Sequence, residues 1–202
     1  MRTLLNAVLL GAVLATTTAC GGGAILRPVQ FAFEDRTSEQ QITDNKIYLA
    51  IVDRWRKADK SLLLDVAADV WEGRVLLTGT VDSADKKAAV AALAAQDGRI
   101  VKVYNEVEVA SAAEVITRRE AQEEAKENSA GQTLTDFWVE QKISARLIGT
   151  KDIKSVNYRW RSVKNKVYVI GRAATAGEKT RVLDAIRTTS GVERVKEYIW
   201  VK

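Results

Sequence analysis

Side chains able to do covalent or acid/base chemistry are scarce in this sequence. Among 202 residues there is no histidine, one cysteine, one methionine and one proline. A His/Cys metal site, a Ser-His-Asp or Cys-His nucleophilic couple and an intramolecular disulfide are therefore excluded. The nearest approach to an acid/base pair is the run of carboxylates Asp65, Asp69 and Glu72. No partner constellation accompanies them, and they read as surface residues. Gly21-Gly22-Gly23 lacks the lysine and hydroxyl that a phosphate loop requires and reads as a flexible tether. Neither catalysis, a metal, a cofactor nor a small-molecule substrate is expected.

One residue does point to chemistry, and it is a modification. Arg2 precedes an apolar stretch from Leu4 to Ala15, too short to span a bilayer but suited to the core of a signal peptide. The stretch ends in Thr17-Thr18-Ala19-Cys20-Gly21, which resembles a bacterial lipoprotein cleavage site. Residues 1–19 are then a cleaved signal peptide and Cys20 the lipidated first residue of the mature chain. The alternative is an ordinary secretory signal that leaves Cys20 as a free thiol. Glycine rather than aspartate follows the cysteine, which favours the outer membrane over retention in the inner one. Export also argues against nucleic acid as the anionic partner that a pI near 9.3 suggests.

The scaffold that must present any binding surface is a duplication. Sliding the chain by 92 residues superimposes Thr43–Val109 on Thr135–Val201 without a gap. Thr43-Asp44 meets Thr135-Asp136, Ile51 meets Ile143, Arg54 meets Arg146, Gly79 meets Gly171, and Lys87 meets Lys179. With 47% hydrophobic residues, the chain has the apolar content for a core. Each reads as the same series of elements. A first helix follows Asp44 or Asp136 as candidate N-cap, with inward stripes Ile47, Ile51, Trp55 and Val139, Ile143, Leu147. Two strands come next, 62–70 with 75–81 and 154–162 with 166–173, joined by turns at Glu72-Gly73 and Lys164-Asn165. A second helix begins at Ser83 or Thr175, the latter with the spacing of a capping box to Glu178. A last strand, 101–109 or 195–201, must return parallel to its neighbour. The fold class is α+β: two αββαβ units, each a mixed three-stranded sheet packed with two helices. The boundaries are a tether over 20–42, domains over 43–110 and 135–202, and a polar, helix-prone linker over 111–134. Phe31 and Phe33 in the tether are expected to pack on copy one, the alternative being a spacer from the anchor. Trp55, Tyr158 and Trp160 read as core, and Gly79 and Gly171 as structural glycines against which a helix packs closely.

The motif Val75-Leu76-Leu77-Thr78-Gly79 and the terminal Val103-Tyr104-Asn105-Glu106-Val107, with Val167-Tyr168-Val169-Ile170-Gly171 in the second copy, resemble the BON domain. The second copy departs at its end, where Val195-Lys196-Glu197-Tyr198-Ile199 stands. Signal, cysteine and two such domains together resemble the dual-BON outer-membrane lipoproteins. That resemblance implies binding of anionic phospholipid, support of envelope integrity, and outer-membrane assembly proteins as further partners. The related soluble periplasmic BON proteins imply a chaperone or protein-interaction module instead.

Charge separates the copies. Residues 43–109 hold 10 Lys/Arg against 11 Asp/Glu, whereas 135–202 hold 15 against 7. Lys142, Arg146, Lys151, Lys154, Arg159, Arg161, Lys164 and Lys166 suggest an anion-facing surface on copy two. Within its first helix, Trp138 lies about 140° from the centre of the inward stripe at 100° per residue. Ala145 and Ile148 share that outer side, Phe137 lies at its edge, and Lys142 and Arg146 flank it. Copy one has Asn45, Lys46, Asp53 and Arg56 at the positions of Phe137, Trp138, Ala145 and Ile148. An apolar surface beside cations suits a bilayer interface, and the resemblance implies that this helix is the lipid-binding one. The expected phospholipid contacts are Phe137, Trp138, Lys142, Ala145, Arg146 and Ile148. The alternative is that Trp138 packs against copy one or the linker.

Overall fold

A computed structural model describes residues 33–127 and 136–202, with side chains of 122–127 left aside. The expected signal peptide, Cys20, Phe31 and the stretch 128–135 lie outside the described residues.

Helix α1 spans Ser38–Ala58 and begins six residues before the expected cap. Thr37 is the N-cap: its Oγ1 accepts from Gln40 N at 3.2 Å, and Gln40 Oε1 accepts from Thr37 N at 2.9 Å. This is a capping box whose Thr-x-x-Gln signature is present in the sequence. Asp44 is thus interior to the helix and buried, and it holds the hairpin turn instead. Its carboxylate accepts from Glu72 N at 2.7 Å and Gly73 N at 2.8 Å. Both turn residues have positive φ, 48° and 72°, as a type I′ turn needs. Asp136 repeats the arrangement on Lys164 N at 2.9 Å and Asn165 N at 3.1 Å, and adds the Ser162 hydroxyl at 2.7 Å. The aspartate common to both copies is a clamp between first helix and hairpin. Asp136→Ala leaves those donors without their acceptor, and a loss of about 2 kcal/mol is expected in urea titration. An unchanged midpoint would dismiss the clamp.

After a helical turn, α2 (Leu62–Asp65), come β1 (Val66–Trp71), β2 (Arg74–Val81), α3 (Ala84–Ala95), β3 (Lys102–Asn105), β4 (Glu108–Val109) and α4 (Ala112–Glu127). Copy two has α5 (Asp136–Gly149), a 3-10 turn (Ser155–Asn157), β5 (Tyr158–Val163), β6 (Lys166–Ala173), α6 (Ala176–Arg187) and β7 (Arg194–Val201). The start of each expected first strand is therefore a helical turn. Gly79 and Gly171 show why: a Cβ there would stand 2.1 Å from Asp65 O and 2.2 Å from Asn157 O. The close approach is made by the chain entering the neighbouring strand rather than by a covering helix. Within each sheet the hairpin is antiparallel and the last strand parallel to the middle one, as expected. Tyr158 pairs with Gly171 as Val66 pairs with Gly79, so the register is shared by the copies. The last strand of copy one is interrupted, and Asn105 Oδ1 there accepts from Val107 N at 3.3 Å. Ser83 and Thr175 cap α3 and α6. Glu178 does not complete a box on Thr175: its carboxylate accepts from Ala174 N at 2.8 Å and Lys154 N at 3.0 Å.

Each sheet buries one face under its own helices. Ile47, Ile51, Trp55, Val90 and Ala94 meet Val66, Val75, Leu77 and Val107 in copy one. Val139, Ile143, Leu147, Val182 and Ile186 meet Tyr158, Val167, Val169 and Ile199 in copy two. Trp160 is half-buried at the margin of that core. The opposite faces pack on each other, with Trp71, Leu76, Val163, Tyr168 and Ile170 forming a third core flanked by Tyr104, Tyr198 and Trp200. The layers thus run helices, sheet, sheet, helices. A pseudo-twofold relates the contacts, because Asp69 meets Arg161 and Glu106 meets Tyr198, each pair being 92 residues apart. Arg74 over Trp200 is likewise the counterpart of Lys166 on Glu108.

Phe33 is 61% exposed, contrary to the packing expected of it. The helix-prone linker is α4, which is docked rather than solvated on all sides: Val115 is buried, and Arg119 pairs with Asp65 at 2.5 Å. Asp65 and Asp69 are accordingly interior, not the surface carboxylates they resembled in sequence.

Candidate membrane-docking helix

Helix α5 starts from the Asp136 clamp and is fixed by its stripe, with Val139, Ile143 and Leu147 at 0% exposure. The opposite side is as the 100° rotation requires for four of the six residues. Lys142, Ala145 and Arg146 are exposed, and Ile148 is 72% exposed, the largest value among the exposed large hydrophobic residues described. Phe137 and Trp138 are only half-buried, with ring centroids 5.5 Å apart and planes at 75°. Helical rotation alone left Trp138 facing solvent. Helix α4 packs on α5 and brings Arg118 within 3.6 Å of Asp136 at this end.

The basic surface is smaller than the charge count suggests. Arg161 pairs with Asp69 at 3.0 Å, Lys166 with Glu108, Arg159 with Glu34, Lys154 with Asp35, and Lys164 with Glu114. Five of the eight cations singled out in the sequence are thus committed to carboxylates of copy one, the N-terminal segment or α4. Arg172 and Lys196 behave alike, on Glu72 and Glu106 at 2.6 and 2.7 Å. The basic excess of copy two largely complements the acids it packs against. Lys142, Arg146 and Lys151 remain exposed, without a carboxylate partner among the described residues. Arg146 Nη1 donates to Thr188 O at 2.8 Å, which holds its guanidinium near the end of α6. Beneath the helix, burial pushes the Glu140 carboxyl up, while Arg161 opposes the shift. Copy one's α1 carries a different apolar pattern: Ile42 and Leu49 are 50% and 55% exposed beside Lys46.

Taken together, α5 presents one exposed isoleucine and an alanine beside two cations, with Lys151 just past its end and two aromatic rings at its first turn. Such a surface can lie at an interface with anionic groups and has no arrangement for bond making or breaking. Among the described residues no helix is long and apolar enough to cross a membrane, and no cluster has metal-ligand character.

A family model described as the BON domain matches residues 54–111 and 135–202. An uncharacterised protein of Anaplasma centrale is 32% identical over 137 residues, covering 68% of this chain and 82% of its own. The outer membrane lipoprotein DolP of Haemophilus influenzae is 26% identical over 195 residues, covering 94% of this chain and 91% of its own. Among solved structures, CdsD, a structural protein of the type III secretion system of Chlamydia trachomatis, aligns with 78% of this chain and 92% of its own at 11% identity and a TM-score of 0.31.

Proposed function

The chain belongs to the BON-domain family, and from that premise we propose that it is a non-enzymatic, lipid-anchored envelope protein whose second domain docks on anionic phospholipid. The anchor is Cys20, the membrane is the outer one, and the domains face the periplasm, where the docking supports envelope integrity. Similarity to an outer membrane lipoprotein along nearly the whole chain supports the anchoring. The observation that carries the docking is the outer side of α5. Ile148 and Ala145 stand exposed beside Lys142 and Arg146, with Lys151 just past the helix end, although five of the eight cations singled out in the domain are paired with carboxylates. Each unpaired cation near an anionic surface contributes about 1 kcal/mol, and the half-buried Trp138 suits the interfacial depth.

Residues 21–202 should cosediment with vesicles containing anionic lipid and not with zwitterionic ones. Ile148→Glu, at the most exposed apolar position of α5, should weaken binding roughly tenfold, equivalent to about 1.4 kcal/mol, with its thermal midpoint unchanged, because it replaces an apolar contact by a carboxylate that the anionic surface repels. Trp138→Glu should weaken it as well, but with some loss of stability because that ring is half-buried. Undiminished binding by Ile148→Glu would remove α5 as the docking surface.

A further inference from the structure

The segment preceding α1 is bound, and it is bound by the other copy. Asp35 donates its backbone N–H to Asn157 Oδ1 at 2.9 Å, and Asn157 Nδ2 donates to Asp35 Oδ2 at 2.9 Å. Arg172 Nη2 donates to the Asp35 carbonyl at 2.8 Å, and Lys154 pairs with the carboxylate. Next to it, Glu34 is buried between Arg159 and Arg36. Main chain and side chain of Asp35 are thus both read, with Arg172 on its carbonyl and Lys154 on its carboxylate. Asn157, which does the reading, is itself 0% exposed. Lys154 lowers the Asp35 carboxyl below its usual value, in keeping with a held carboxylate.

The repeat supplies an independent comparison. The position of Asn157 in copy one is Asp65, and it too is buried and occupied by a flanking segment: Arg119 of α4 meets its two oxygens at 2.5 Å each. Each copy therefore has a seat where the chain enters its first strand, beside Gly79 or Gly171. The two seats have opposite preference. Asp65 takes a guanidinium, whereas Asn157 with Lys154, Arg159 and Arg172 takes an acidic stretch of extended chain.

We propose that the seat at Asn157 is a binding site for an acidic extended segment, filled in cis by Glu34 and Asp35. The tether then leaves the molecule from copy two although it precedes copy one in sequence. The 3-10 turn that carries Asn157 packs against α5. Twelve residues lie between Cys20 and Phe33, so the thirteen steps from one to the other reach at most about 45 Å when fully extended. On the reading given above, the seat places anchor and docking helix on the same domain. It acts as a second point of attachment, which raises the effective concentration of α5 at the membrane.

The test uses the unlipidated chain, residues 20–202 with Cys20→Ser, so that its result is independent of lipid binding. Asn157→Asp is nearly isosteric and installs the residue that copy one carries, setting like charge against Asp35. Amide exchange across Phe33–Arg36 should accelerate tenfold or more, and tryptic cleavage after the buried Arg36 should rise with it, while β5 and β6 keep their protection. Asp35→Ala, at an exposed position, should produce the same release and decides the matter if Asn157→Asp fails to fold. Wild-type exchange and cleavage in the folded Asn157→Asp variant, or in Asp35→Ala, would overturn the proposal.

Discussion

Gly79→Ala should prevent copy one from folding. The added Cβ would lie 2.1 Å from Asp65 O and 2.8 Å from Val66 Cα, both main-chain atoms that side-chain motion cannot clear. Gly79 also sits at φ +125°, where an L-residue is strained whatever the space around it. Backbone strain of about 1–3 kcal/mol adds to a similar cost of overpacking. A total near 4 kcal/mol is comparable with the whole stability of a domain of this size. The expected result is loss of the cooperative transition of copy one in thermal and urea unfolding. Gly171→Ala should do the same to copy two, with its Cβ 2.2 Å from Asn157 O. Gly98→Ala, where nothing lies within 4 Å, is the control and should change stability by less than about 0.5 kcal/mol. A Gly79→Ala protein that melts within a few degrees of wild type would contradict this account of the strand entry.

The second large effect lies in the seam between the sheets. Arg161 stands on the pseudo-twofold, with its Nε 3.0 Å from Asp69 Oδ2 and its Nη1 3.6 Å from Glu140 Oε2. Asp69 is 3% exposed, so removing the cation strands a buried carboxylate. Arg161→Met should cost about 3–5 kcal/mol, whereas Asp69→Leu combined with Arg161→Met should recover most of it, because a shape-filling apolar pair needs no desolvated charge. Acid should soften the single variant's defect. Glu140 has its carboxyl raised by burial, so its folded state favours the proton more than its unfolded state does. Its contribution to stability is greatest below the unfolded value, near 4.3, and is lost as pH rises through the folded value. Without Arg161 the raised value rises further. The deficit should therefore be smaller at pH 4 than at pH 7 in urea titrations. A deficit independent of pH, or a double variant no better than the single one, would mean that the seam is held by its apolar residues alone.

The duplication, the αββαβ order, the inward stripes, the I′ turns and the caps Ser83 and Thr175 were all legible because each depends on neighbours within a few residues or on the 92-residue shift. The start of α1 was also legible and was misplaced. The capping signal that the fold uses is Thr37-x-x-Gln40, whereas the expected cap is Asp44, identical in both copies. Its identity in fact reflects a contact with a turn 28 residues away. Trp138 shows the same boundary at the candidate site. Rotation about the helix axis placed Lys142, Ala145, Arg146 and Ile148 correctly on the outside, but it contains no information about what lies beside the first turn, where Trp138 is half-buried.

Sequence by itself determined two copies of one unit and the inner face of the first helix in each, since period and turn are local properties of the chain. Only the tertiary structure decided that the sheets stand back to back. A hint lay in Val75-Leu76-Leu77 and Val167-Tyr168-Val169-Ile170, continuous apolar runs in place of alternation, which mark strands buried on both faces. Such runs do not say what covers the second face. The charge excess of copy two was ambiguous for the same reason: a formal count does not distinguish a cation facing solvent from one facing Asp69, Glu72, Glu106 or Glu108. That distinction depends on which surfaces meet across the pseudo-twofold, and it leaves Lys142, Arg146 and Lys151 as the exposed cations about α5.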